Sequence, residues 1–185
     1  DRATNVDFAV AFILKSGVRL IREHIRDLLK RGGRVRIVTG DYLDVTDPDA
    51  LVDLMDLEGD LQLRVFETNS ASFHPKAYIF YERPGDGTAF VGSSNLTQPA
   101  FRGGVEWNYR VLQADGDRGF AEVVSAFEEL FVHPQTRPVD ADWIDAYRER
   151  RVAVSKHQIL GVVEEPLEPP PTPHSIQEEA LAALK

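Results

Sequence analysis

The sequence contains no cysteine, and it has only one methionine and two tryptophans. The lack of cysteine excludes disulfide bonds, thiolate metal ligands and a cysteine nucleophile together. No apolar run approaches the roughly 20 residues that a membrane-spanning helix needs, so no membrane partner is expected. The chain begins at Asp1 without a methionine, a basic segment or a cleavage site. We therefore interpret it as a piece of a longer, cytoplasmic protein.

The formal net charge of −9 argues against a chain that is basic over its whole surface. The charges are unevenly distributed, however, because residues 15–36 are rich in bases whereas residues 41–60 carry acids and no base. A local basic patch can attract a polyanion in spite of the net charge, although a run of charges is more often a solvated helix face. The candidate nucleic-acid-binding residues are Lys15, Arg19, Arg22, Arg26 and Lys30.

The hydrophobic pattern predicts an α/β domain. An apolar strand at 7–14, an amphipathic helix at 17–31 and a strand at 34–39 form a βαβ unit, which requires parallel pairing. Further strands are predicted at 61–66, 77–81, 89–91 and 105–112, and further helices at 49–57, 117–131 and 141–152. Residues 84–87 have the composition of a hairpin turn. We therefore predict a mixed, mostly parallel sheet that is flanked by helices on both faces.

The composition changes after Gly161. Residues 163–173 are rich in proline and glutamate, which is typical of a semi-rigid linker. Residues 174–185 then begin a new helix, with Ser175 as its N-cap and Glu178 completing a capping box. The sequence thus predicts one domain at residues 1–162, a linker at 163–173 and the start of a second domain at 174–185.

The residues that carry chemistry lie between positions 73 and 106. His74 and Lys76 enter one predicted strand. Ser93 and Asn95 leave the next strand, and Glu106 lies on the strand after that. An imidazole can attack phosphorus. The phosphoryl oxygens can be bound by an ammonium, a hydroxyl and an amide, and a carboxylate can orient the imidazole. Since no acid pair or metal-ligand spacing accompanies them, we expect no metal ion at this site.

This pattern resembles the phospholipase D superfamily, whose signature is His-x-Lys, a following Asp and a Gly-Ser segment ending in Asn. The chain carries HPK at 74–76 and GSSN at 92–95, and the resemblance covers roughly residues 5–155. Glu106, eleven residues beyond Asn95, makes the spacing most similar to the nuclease branch, which includes metal-independent restriction endonucleases. The resemblance implies a phospholipase-D-like fold with a single motif, and a hydrolase that cleaves nucleic acid, with DNA favoured over RNA.

The resemblance also implies a two-step reaction. His74 attacks the phosphorus, a second histidine protonates the leaving group, and water then releases the phosphohistidine. Lys76, Ser93 and Asn95 are implied to stabilise the phosphoryl oxygens. Glu106 is implied to hold His74. Since one motif supplies one histidine, the family arrangement of two motifs across a dyad implies a homodimer in which two His74 side chains face each other.

One position departs from the family pattern. The aspartate that usually follows the lysine by five residues is Tyr81 here, and Glu82 is expected to point to the opposite face of the sheet. Lipid hydrolysis is therefore not expected. Two functions stay open: an active phosphodiesterase, or an inactive module that binds nucleic acid and dimerises.

Neighbouring residues have simpler structural interpretations. Ser94 is expected to cap a helix that opens at Leu96 or Thr97. Trp107 and Tyr109 are most simply core or interface residues, since stacking on nucleic-acid bases requires aromatic rings that are exposed beside a basic face.

A second resemblance lies at the C-terminal end. Residues 173–184 (PHSIQEEALAAL) are similar to the segment ahead of the ATP-binding loop in superfamily II DNA/RNA helicases, where a glutamine reads adenine. Gln177 is the corresponding residue. Phospholipase-D-like domains precede such modules in prokaryotic restriction- and defence-type proteins. The resemblance therefore implies a helicase beyond this sequence, with ATP and Mg²⁺ as its cofactors.

Overall fold

A computed structural model describes residues 3–68, 72–83, 85–114 and 118–159. The chain divides into two compact units, Asp1–Glu149 and Arg150–Lys185, and everything described below belongs to the first unit except the second half of the last helix. The predicted linker at 163–173 and the helicase-like segment with Gln177 lie outside the described residues.

The first unit is built on a seven-stranded sheet in the order β6-β5-β4-β1-β2-β3-β7. The strands are β1 (Asn5–Val10), β2 (Arg34–Gly40), β3 (Asp60–Phe66), β4 (Lys76–Arg83), β5 (Asp86–Gly92), β6 (Asn108–Leu112) and β7 (Thr136–Pro138). The helices are α1 (Lys15–Lys30), α2 (Pro48–Met55), α3 (Gln98–Arg102), α4 (Gly119–Phe131) and α5 (Ala141–Ile159), and a short 3-10 turn spans Tyr42–Asp44.

Parallel pairing is confined to β1, β2 and β3, which α1 and α2 connect as crossover helices. β4, β5 and β6 extend the sheet beyond β1 by antiparallel pairing, and β7 pairs antiparallel with β3. The prediction of a mixed α/β sheet is confirmed. Its parallel part is limited to the first three strands, because the β4–β5 hairpin and the two edge strands reverse direction.

Helices cover both faces of the sheet, as the sequence predicts. On one face the core includes helical side chains from α1, α2 and α5: Val18, Ile25, Leu28, Leu29, Ala50, Leu51, Leu54, Trp143, Ile144 and Tyr147. On the other face α4 contributes Phe120, Phe127 and Phe131. β2 is buried on both sides, with Val35 and Ile37 in the first core and Val38 in the second.

The first strand ends earlier than its apolar run suggests. The run was predicted to pair as far as residue 14, but β1 stops at Val10. Beyond it the backbone bonds to loops instead: Ala11 N–H donates to the Pro75 carbonyl over 2.9 Å, and Leu14 N–H donates to the Leu96 carbonyl over 3.1 Å. Residues 11–14 therefore connect the segment before α1 to two loops, the one that precedes β4 and the one that follows β5.

Candidate active site

The predicted site residues lie together at one end of the strands, where β4 starts and β5 ends, which we call the site edge. In the strand register Val10 is opposite Lys76, and Gly92 is opposite Asn108. Because β4 starts and β5 ends at this edge, His74 and Lys76 meet the loop that carries Ser93 and Asn95. The loop ahead of β6 reaches the same place. The strand predicted from residue 105 is shorter than expected, since β6 begins at Asn108, so Glu106 lies in that loop rather than on the strand.

Asn95 is held by the backbone that follows β1. Phe12 N–H donates to Asn95 Oδ1 over 3.1 Å, and Leu96 N–H donates to the Phe12 carbonyl over 3.2 Å. Because the amide oxygen is occupied by a main-chain donor, the side chain is left with its NH₂ group to offer. Asn95 is thus oriented as a hydrogen-bond donor, which suits binding of a phosphoryl oxygen.

Ser93 and Glu106 form a pair. The Ser93 hydroxyl donates to Glu106 Oε2 in a short hydrogen bond and accepts from Trp107 N–H over 3.0 Å. Ser93 N–H in turn donates to the Trp107 carbonyl over 3.0 Å. This close approach requires Gly92, because a Cβ there would lie 2.0 Å from the Trp107 carbonyl oxygen. In the described part of the chain, the Glu106 carboxylate accepts a hydrogen bond from Ser93 and makes none with His74.

Lys76 is the ammonium of the site. Burial lowers the pKa of Lys76, and the negative charge of Glu106 partly offsets this effect. Lys76 Nζ donates to the His74 carbonyl over 2.9 Å, so the amine lies beside the histidine backbone. Burial and Glu106 raise the pKa of Tyr78, whose hydroxyl donates to the Ser94 carbonyl over 3.0 Å. Tyr78 therefore keeps its proton, and Lys76 and Glu106 are the opposite charges that interact here.

His74 is exposed at the surface with its ring between two aromatic side chains. Phe12 and Tyr42 contact it edge to face, with ring centroids 5.9 and 4.9 Å away. The preceding Phe73 is buried and stacks on Phe66 at 4.9 Å, which anchors the segment. Phe12 and Tyr42 were not among the predicted site residues. The available signal was their position after β1 and β2, since ligands bind at the carboxyl ends of parallel strands.

Ser94 does not cap α3, so that prediction is wrong. The N-cap is Thr97, whose hydroxyl accepts from Ala100 N–H over 3.4 Å. Ser94 is buried, and its hydroxyl accepts from Asn108 Nδ2 over 2.8 Å. Ser94 thus ties the loop after β5 to the start of β6, a contact between distant residues that local sequence does not reveal.

The predicted basic face of α1 is largely engaged by acids. Arg26 pairs with Glu23 on the same helix. Lys15 approaches Asp53 of α2 at 4.0 Å, and Arg22 Nε donates to the Asp53 carbonyl over 3.2 Å. Within the described part of the chain, Arg19 and Lys30 are the members of the face that make no ion pair and stay exposed. The free positive charge of α1 is therefore smaller than its sequence suggests.

Tyr81, at the usual aspartate position, lies far from the site edge. Five residues separate it from Lys76 along β4, which is about 16 Å in a strand. Its hydroxyl donates to Asp7 Oδ2 over 2.9 Å, and Asp7 on β1 is completely buried. Arg36 donates to both Asp7 oxygens, at 2.7 and 2.6 Å, and to Glu128 of α4 at 2.6 and 3.0 Å. A buried carboxylate is thus present beside position 81, but the neighbouring strand supplies it.

Among the described residues, no group of three or more histidine, aspartate or glutamate side chains is arranged to hold a metal ion. The described helices include none with the length and apolar character to cross a membrane.

A family model described as "Cardiolipin synthase, PLD-like domain" matches residues 3–133, which include the whole candidate site. The structure is similar to NucT from Helicobacter pylori, with 16% identity and a TM-score of 0.54, over 73% of this chain and 82% of NucT. It is also similar to phosphatidylserine synthase from Haemophilus influenzae Rd KW20, with 14% identity and a TM-score of 0.53, over 84% of this chain and 41% of the synthase.

A third similar structure is polyphosphate kinase from Porphyromonas gingivalis, with 12% identity and a TM-score of 0.51, over 83% of this chain and 24% of the kinase. The chain therefore spans less than half of the synthase and about a quarter of the kinase. At these identities the structural likeness shows the fold. No curated protein matches the sequence.

Proposed function

Because the chain belongs to the phospholipase-D-like family of phosphodiester-cleaving domains, we propose that it hydrolyses nucleic acid through a phosphohistidine at His74 without a metal ion. The observation that carries this proposal is the meeting, at one edge of the sheet, of an exposed imidazole, the Lys76 ammonium and the Asn95 amide, which is turned to donate. These are the nucleophile and the charge-neutralising groups that transfer of a phosphoryl group requires.

In the first step a ring nitrogen of His74 gives an electron pair to phosphorus, and the bond from phosphorus to the leaving oxygen breaks. That oxygen takes a proton from a second imidazole. In the second step water attacks phosphorus and gives a proton to the second imidazole, while the phosphorus–nitrogen bond breaks and returns its electron pair to His74. Both imidazoles end in their starting protonation states.

The second imidazole comes, in this proposal, from a second copy of the chain. The described residues contain one motif of this type, and His133, which packs on Phe66, accepts a hydrogen bond from Gln135 N–H. A homodimer with two His74 side chains facing each other supplies both groups. A strictly monomeric protein with full activity would contradict this part of the mechanism.

Glu106 acts, in this proposal, on Lys76 and Ser93. Its carboxylate accepts from Ser93, and its charge opposes the effect of burial on the pKa of Lys76. The negative charge therefore helps to keep the ammonium protonated, and the ammonium and the Asn95 amide stabilise the phosphoryl oxygens. This role for Glu106 replaces the direct contact with His74 that the family resemblance implies.

We predict that Glu106→Gln moves the alkaline limb of the pH–activity profile to lower pH. Removing the carboxylate charge lowers the pKa of Lys76 further, so the ammonium loses its proton at a lower pH. The measurement is kcat/KM across the pH range, with Glu122→Gln, an exposed carboxylate on α4, as the matched control. An alkaline limb that stays in place, or that moves to higher pH, would show that Glu106 does not support the Lys76 charge.

The alternative of an inactive binding module depended on the loss of the usual aspartate. Tyr81 bonds to Asp7 at the opposite end of β4 from Lys76, so the replacement does not touch the site edge. This separation favours the active enzyme.

We predict that the protein cleaves end-labelled nucleic acid in excess EDTA, and DNA in preference to RNA. Lys76→Met is expected to lower the rate by at least about 100-fold, since a preorganised charge at a developing oxyanion has an effect of this size. Arg83→Met, a cation at the other end of the same strand, is the control. Cleavage that needs added Mg²⁺ would contradict the metal-free mechanism, and salt-sensitive binding without any cleavage would favour the binding module.

On the sequence resemblance alone, we also propose that the protein is a cytoplasmic restriction- or defence-type protein that continues into a helicase. Gln177 would contact adenine there, with ATP and Mg²⁺ as cofactors. Arg19 and Lys30, the exposed members of the α1 face, are the residues through which that helix would contact a phosphate backbone.

A further inference from the structure

Two large aromatic side chains beside the site are left facing solvent. Trp107 is 83% exposed and Tyr109 is 75% exposed. Tyr109 on β6 is opposite Val91 on β5, which is 38% exposed, and Trp107 directly precedes β6. We call these three residues the exposed strip. An apolar surface of this kind, in contact with a reaction site, is typical of a binding surface.

The strip is uncovered because α4 does not reach it. Tyr109 and Val111 share a face of β6, since side chains alternate along a strand. Val111 packs against the core that α4 covers, and Phe120 of α4 closes over Gly87 at the far end of β5. The ends of β5 and β6 nearest the site lie beyond the helix. The strip is therefore continuous with the site edge and not with the core.

Trp107 is fixed to the site by its backbone. Its N–H donates to the Ser93 hydroxyl, and its carbonyl accepts from Ser93 N–H, each over 3.0 Å. Glu106, the partner of Ser93, is the preceding residue. Since both main-chain groups of Trp107 are bonded to a site residue, its backbone is held beside the phosphodiester site and its side chain emerges there.

Two cations lie on the other face of the same sheet edge. Arg110 follows Tyr109 on β6, so its side chain points to the opposite face from Tyr109, which is the face on which Tyr78 of β4 contacts Phe101 of α3. Arg102 ends α3. Both arginines are exposed, and among the described residues neither makes an ion pair. A phosphate backbone that crosses the β6 edge would be attracted to them in spite of the net charge of −9.

We propose that the exposed strip is a binding site for the unpaired bases of single-stranded nucleic acid, with Trp107 and Tyr109 as stacking platforms. This inference rests on the proposed function and specifies its substrate class. Bases in a duplex stack on one another and offer no free face, so the strip selects single strands. The phosphates of the same strand would cross the β6 edge and run past Arg110 and Arg102 to Lys76 on the other face of the sheet.

The test uses a His74→Ala background, in which binding is measured without cleavage. Fluorescence anisotropy of a labelled single-stranded DNA is recorded in EDTA. Trp107→Ala and Tyr109→Ala are each expected to weaken binding about tenfold or more, and Trp107→Phe is expected to retain most of it. Met55→Ala, an exposed apolar residue at the end of α2, is the control. Quenching of tryptophan emission gives a second measurement, because Trp143 is only 7% exposed and Trp107 is the accessible ring.

Each result has a distinct meaning. Equal weakening for single-stranded and duplex DNA would overturn the proposal, because stacking needs a free base. Conversion of Trp107→Ala to a monomer, measured by light scattering, would also overturn it and would make the strip a contact between copies. Binding that depends on Trp107, combined with no cleavage by the wild-type protein, would support the strip and reject the nuclease.

Discussion

His74→Ala is expected to reduce cleavage of nucleic acid in EDTA by at least about 10⁴-fold, since the proposed mechanism forms its covalent intermediate on this imidazole. The expected loss is specific to chemistry. His74 is exposed and its ring makes edge contacts with Phe12 and Tyr42, so the free energy of unfolding should change by about 1 kcal/mol or less. Single-turnover cleavage and thermal unfolding of the same preparations measure the two quantities.

Mixtures of wild-type and His74→Ala chains test whether two copies share one site. If both histidines act in one reaction, the activity of a freely exchanged mixture is proportional to the square of the wild-type fraction, and an equal mixture retains about one quarter. Activity in direct proportion to the wild-type fraction would show that each copy acts alone. Activity of His74→Ala within about tenfold of wild type would reject His74 as the nucleophile.

Arg36→Met is expected to lower the free energy of unfolding by about 3–5 kcal/mol, since it leaves the buried Asp7 carboxylate without its cation. Asp7 is completely buried, and Arg36 bonds to both of its oxygens as well as to Glu128. The guanidinium also lies 4.9 Å over the ring of Phe127, so the variant loses packing with the charge. Urea unfolding at neutral pH measures the change.

Two further variants distinguish the loss of charge balance from the loss of an arginine. Arg137→Met removes an exposed ion pair with Glu67 and should change the free energy of unfolding by less than about 1 kcal/mol. Adding Asp7→Asn to Arg36→Met should recover part of the loss, because an amide carries no buried charge. Equal effects of Arg36→Met and Arg137→Met would show that the buried cluster does not hold the sheet to α4.

The fold followed from the sequence because periodicity and connection length decide it. The apolar strands and the amphipathic α1 and α4 were predicted within a few residues, and the hairpin of β4 and β5 made the sheet mixed. The helix expected to open at Leu96 or Thr97 is α3, although Thr97 and not Ser94 caps it. The strand β7 was missed, because it is short and exists through pairing with β3. This pairing brings together residues 66 and 136, which are too far apart in the sequence for a local hydrophobic pattern to predict it.

The candidate site could be predicted in its composition but only partly in its contacts. The motif residues meet because β4 and β5 are neighbours, a consequence of the hairpin. The partner of Glu106 and the exposure of Trp107 depend on the path of the loop before β6 and on where α4 ends. Likewise, the basic and acidic stretches of the sequence predicted separate regions of opposite charge. In the structure Lys15 lies beside Asp53, because α1 and α2 pack on the same face of the sheet.

The contact between Asp7 and Tyr81 bears on how relatives of this protein are found. A search that demands an aspartate five residues after the lysine would discard this chain, although its sheet contains a carboxylate beside that position. In this chain β1 supplies the buried negative charge, and β4 supplies the hydroxyl that bonds to it. A pattern that accepts an acid on β1 together with a hydroxyl on β4 would keep this chain, which a linear signature overlooks.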